Sequence, residues 1–153
     1  MAVTGEAKAV EVSVHVKAKP EVVYQYLTDP AKYVLWKGRK ATLEPRPGGT
    51  YRVEFNERDT VSGKFIEVVP NKKVVFTWGW EAPSNPVKPG SSTVSITLAA
   101  EGAGTKLTLV HTGLPEPAQA QHREGWVMYG NRLAIAATGG KLGTDPNATP
   151  QKM

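Results

Sequence analysis

The stretch that decides the fold is PAQAQHREGWVMYGNRLAIAA, residues 117–137. Trp126, Tyr129, Leu133 and Ala136 recur at spacings of three and four, which gives a helix one bulky apolar stripe. It is the one long segment of this kind in the chain. Most of what precedes it alternates as strands do, and a sheet that is wet on one side needs an apolar element to close on. Two features of the stretch are unusual. His122 falls on the inner side, one turn before Trp126. Gly125 and Gly130 sit in the helix body, each costing about 1 kcal/mol relative to alanine. Either the helix approaches the sheet closely there or a space is kept for something else; close packing is the expected reason.

Working outward, Val10, Val12, Val14 and Val16 alternate with Glu11, Ser13, His15 and Lys17, the pattern of a half-buried strand. Pro20 and Pro30 suit first helical positions and Asp29 suits an N-cap, so two short helices follow, the second running to about Trp36. Strands are then expected over 39–44, 51–56, 61–69, 73–80, 93–100 and 105–112, parted by turns such as PRPGG and EGAG. Residues 81–91 form a proline-rich loop. Residues 139–153 offer almost no apolar anchor and are expected to be a flexible tail after a single domain, 1–138. The element order predicts an α+β fold, a seven-stranded curved antiparallel sheet wrapped on a long C-terminal helix.

A length of 153 residues suits one domain with a real core. The absence of cysteine excludes disulfides, thiolate metal sites and a cysteine nucleophile. No signal-peptide core or membrane-length apolar run is present, so a cytoplasmic protein without a membrane span is expected. The net charge is +5, but the basic residues are scattered. Their densest cluster, Lys37, Arg39 and Lys40, reads as solvated surface, and no nucleic-acid partner is expected. There is no G-x-S-x-G elbow, phosphate loop or dinucleotide fingerprint, and no histidine pair at metal spacing. Neither a cofactor nor a metal is expected.

Several stretches carry a family likeness: LTDP (27–30) with Trp36, PGGTY (47–51), GKFIEVVP (63–70), VVFTW (74–78), GTKLTL (104–109), HTGL (111–114) and HREGW (122–126). In this order they resemble the activator of heat-shock-protein 90 ATPase homologue family, within the START-like, or SRPBCC, helix-grip superfamily. The resemblance implies the helix-grip fold. It also implies a choice of functions, since members of the superfamily bind lipids, sterols or plant hormones, cyclise polyketides, or act as co-chaperones.

The residues themselves favour a binding protein for a small apolar molecule held between sheet and helix. Trp36, Tyr51, Phe55, Phe65, Phe76, Trp78, Trp126 and Tyr129 supply aromatic area for such a site, although some must simply fill the core. His111 shares the apolar face of its strand with Leu107 and Leu109. It is either a polar contact in a cavity or a core histidine satisfied by a neighbour. His122 could meet it at the cavity mouth. Glu67 alternates with Phe65, so if Phe65 points inward Glu67 does too, and it would then want Arg52 or His111 as a partner; otherwise it is a solvent-facing carboxylate. Two other readings stand beside the binding protein. One is a chaperone-associated protein working through its outer sheet face. The other is an acid–base enzyme, a cyclase or hydrolase, built on the same histidines and Glu67. Either a monomer or a homodimer is compatible with the pattern.

Overall fold

In the computed structural model, which describes residues 9–143 and 145–147, the chain forms one seven-stranded sheet gripped around a long helix. Residues 1–8, 144 and 148–153, which include parts of the expected domain and tail, lie outside the described residues. The elements are β1 (Val10–Val16), α1 (Pro20–Thr28), α2 (Pro30–Tyr33), β2 (Lys40–Leu43), β3 (Thr50–Glu54), β4 (Thr60–Val69), β5 (Lys73–Trp78), β6 (Ser92–Glu101), β7 (Gly104–Thr112) and α3 (Glu116–Ala137).

Every strand pair is antiparallel, in the order β1-β7-β6-β5-β4-β3-β2. Strands β2 to β7 pair with their chain neighbours, through short connections except for the proline-rich loop between β5 and β6. The helices α1 and α2 carry the chain from β1 at one edge to β2 at the other. The side chain of Asp29 accepts a hydrogen bond from Ala31 N and Pro30 opens α2, as a cap followed by a proline should. Regular helix stops at Tyr33 rather than Trp36. Two further turns close it, with Trp36 N and Lys37 N both donating to Tyr33 O. Gly38 then reverses the chain at φ +77°, where a Cβ would also strike Val53.

The stripe of α3 is buried as its spacing requires: Trp126, Tyr129, Leu133 and Ala136 all face the sheet. Its outer face carries polar residues together with the exposed Val127 and Ile135. Beneath the helix an aromatic layer runs across the middle of the sheet. Tyr51 stacks on Phe76 at 3.9 Å between centroids, and Phe65 meets both edge-on.

The segment after α3 carries one apolar anchor and several polar ones. Leu142 packs against the core. Asp145 accepts hydrogen bonds from Gly38 N and the Tyr129 hydroxyl, and Asn147 O accepts one from the buried side chain of Asn56. These anchors are mostly polar, so an apolar count along 139–153 passes over them.

Candidate functional site

The N-terminal half of α3, the end of β5 and the turn between β3 and β4 enclose a cleft of about 580 Å3. Phe55, Trp78, Trp80, Trp126 and Tyr129 line it, together with polar groups that include Arg58, Asp59 and Glu124. Pro86 and Val87 close one side, because the proline-rich loop folds back and Val87 O accepts a hydrogen bond from Trp80 N. Gly125 also lines it, and a Cβ built there would meet nothing within 4 Å. The expectation of close packing is therefore corrected for Gly125, which leaves open space. A Cβ at Gly130 would touch Val14 at an ordinary 3.7 Å, so packing is a sufficient account there.

Lys37 also lines this cleft, and it is only 1% exposed. The sequence placed it on a solvated basic surface; the structure buries it among rings. Its Nζ lies 3.8 Å from the ring centroid of Trp126 and 4.4 Å from that of Trp78. Tyr129, Tyr33, Trp36 and Phe55 complete the shell at 5.4 to 5.9 Å. Nζ has no hydrogen-bond partner among the described residues. Ring faces favour a cation by about 2 kcal/mol when desolvated. Burying an ammonium without a counter-ion costs several kcal/mol, so desolvation wins. It holds the Lys37 pKa well below the usual lysine value, against a smaller opposing pull from the Asp145 carboxylate. One signal for this residue was legible: Tyr33, Trp36 and Lys37 stand at i, i+3 and i+4 on one helical face, and both aromatics are core residues.

The two histidines do meet under the helix, edge to face, with ring centroids 5.5 Å apart. Neither offers a free nitrogen. The indole of Trp126 donates to His111 Nδ1 at 3.0 Å, which assigns the proton to Nε2. That nitrogen donates to Ser92 Oγ at 2.9 Å, and Ser92 passes the chain on to Trp78 O. His111 is thus a satisfied core histidine, and burial, with His122 and Lys37 nearby, lowers its pKa to about 3. His122 donates from Nδ1 to Ala118 O and accepts at Nε2 from the Trp80 indole. Burial lowers its pKa too, partly offset by the bond to Ala118.

Of the residues proposed from sequence, Phe55, Trp78, His122, Trp126 and Tyr129 line the cleft. Trp36, Tyr51, Phe65, Phe76 and His111 do not; they are buried in the layer behind it. Tyr51 bonds the Tyr33 hydroxyl, and Trp36 donates to Tyr26 O. Glu67 is a correction. A register shift in the β4–β5 pairing between Phe65 and Glu67 breaks the alternation. Phe65 is inside, while Glu67 points to solvent and pairs with Lys73 at 3.3 Å. Arg52, its suggested partner, is bound to Glu54 and Glu81. Among the described residues no cluster of three or more His, Asp or Glu could hold a metal.

The family pattern described as activator of Hsp90 ATPase homolog 1-like protein matches residues 17–138, from just after β1 through α3. The chain belongs to this family. A curated relative of the family, the activator of 90 kDa heat shock protein ATPase homolog 1 of Homo sapiens, is 28% identical over 111 residues, 72% of this chain and 31% of the human one. The chain thus spans about a third of the length of the curated relatives it matches. Among solved structures of the family, an AHSA1-like protein from Rhizobium etli is 41% identical with a TM-score of 0.70, covering 90% of this chain and 86% of that one. The Aha1 dimer from Colwellia psychrerythraea has a TM-score of 0.75 at 22% identity, covering 87% and 98%, a likeness of fold. No helix among the described residues is long and apolar enough to cross a membrane.

Proposed function

We propose that the protein binds a small, largely apolar molecule in the cleft beneath the N-terminal half of α3. The observation that carries this reading is the cleft itself. A volume of about 580 Å3 walled by five aromatic side chains falls in the size range of small-molecule sites and is mostly apolar, as they are. Gly125 adds to it, since a helix former there would be expected unless the space were needed. Trp78, Trp80 and Trp126 all line the site, so their fluorescence reports on it. Titration with 2-naphthamide should quench tryptophan fluorescence saturably and raise the melting temperature. Absence of both effects across a panel of two- and three-ring compounds would contradict the reading.

The kinship with a heat-shock-protein ATPase activator favours a second reading, an interaction with a chaperone. It would use the outer sheet face rather than the cleft. A pull-down with the 90 kDa chaperone and an ATPase assay test it; no binding and no stimulation would end it. An acid–base enzyme built on His111, His122 and Glu67 finds no support, because the histidine nitrogens are occupied and Glu67 lies outside.

A further inference from the structure

We infer that the ligand of this cleft is an aromatic acid whose carboxylate pairs with Lys37. This rests on the reading of the cleft as a ligand site and names the chemistry of its occupant.

Lys37 carries the inference. A buried polar group without a partner is rare, and each case calls for a reason. Here the group is an amine with several N–H donors, 1% exposed and lining a cleft, with no acceptor among the described residues. The fold did not have to put it there. A methionine would fill the same volume without the desolvation cost. What the amine lacks is an oxygen acceptor, and a negative one would also allow it to hold its proton.

Among the described residues, no group around Nζ accepts a hydrogen bond from it. Among the described residues, five titratable groups lie against Nζ or couple to it, and four of them are bound elsewhere; Arg58, Asp59 and Glu124 also line the cleft. His111 and His122 have both nitrogens engaged, Tyr33 bonds Tyr51, and the Tyr129 hydroxyl donates to Asp145. The fifth, Asp145, attracts the amine but directs its oxygens to Gly38 N, the Tyr129 hydroxyl and Asn147 N. An incoming carboxylate would supply the acceptor that Lys37 lacks among the described residues.

The walls decide the rest of the molecule. Phe55, Trp78, Trp80 and Trp126 give the lining an aromatic character that suits a planar ring body. The cage around Nζ is built of the same rings, so a ring carboxylate could stack and pair at once.

The test compares 2-naphthoate with its neutral isostere 2-naphthamide by isothermal titration at pH 7, using the intact chain. The acid should bind at least tenfold more tightly. In Lys37→Met the two should bind alike. Equal affinities in wild type, or a preference for the acid that survives in Lys37→Met, would overturn the inference while leaving the cleft as a ligand site. Failure of both compounds to bind would overturn the inference, and failure of the whole panel of two- and three-ring compounds would overturn the reading beneath it. The wild-type comparison decides without any variant, so the outcome does not depend on how the substitution folds.

Discussion

The Nζ of Lys37 lies 3.8 Å from the ring centroid of Trp126, inside the protein and without a hydrogen-bond acceptor among the described residues. That single contact joins the short turn after α2 to the centre of α3. It places a group that opposes folding at the head of the cleft.

Lys37→Met should therefore stabilise the protein. Removing a buried polar group that has no partner gains about 1–3 kcal/mol. The sign with pH follows from the lowered pKa. Below the ordinary lysine value the unfolded chain takes up a proton that the folded chain resists. Stability is thus lost as pH falls from about 10.5 toward the folded value. Urea denaturation between pH 7 and 10 should show this slope in wild type and a flatter one in the variant.

His111 gives a second slope, in acid. Its folded pKa of about 3 lies below the ordinary 6.5, so between these values the unfolded state binds the extra proton. Stability should fall as pH drops through this window, by at most about 1.4 kcal/mol per unit from this residue. His111→Phe should flatten the slope. At pH 8 it should cost about 1–3 kcal/mol, because the Trp126 indole loses its acceptor.

Gly125 separates helix propensity from cleft space. Gly125→Ala should stabilise by about 1 kcal/mol, since the added methyl meets nothing. Gly125→Leu should keep the melting temperature within a few degrees and weaken 2-naphthamide binding at least tenfold. Thermal melts and fluorescence titrations check the pair.

Asp145→Ala should release the segment after α3. Gly38 N and the Tyr129 hydroxyl lose an acceptor, at a cost of about 1–3 kcal/mol. Hydrogen exchange at Gly38 should speed up while exchange in β6 and β7 changes only with global stability.

The architecture was legible because its signals are periodic. The valines of β1 and the 3–4 spacing of Trp126, Tyr129, Leu133 and Ala136 each name a buried face, and the element order does the rest. The site was legible only in half. Alternation put Glu67 on the face of Phe65, but one register shift in β4 reversed it, and nothing in that local run marks the shift. Lys37 was lost in a basic triplet, although its i, i+4 relation to Tyr33 pointed inward. The occupied state of His111 depends on Ser92, 19 residues away and fixed only by strand register. Signals carried by one residue and its distant partner do not show in a pattern of neighbours.

The most direct test of the cleft beneath α3 is an amide and indole NMR titration with 2-naphthamide. The largest shifts should fall on Gly125, Trp126, Val87 and the indole N–H groups of Trp78 and Trp80, and they should vanish in Gly125→Leu. Shifts confined to the outer face of the sheet, with Gly125 and Trp126 unmoved at saturation, would contradict the assignment of the cleft as the binding site.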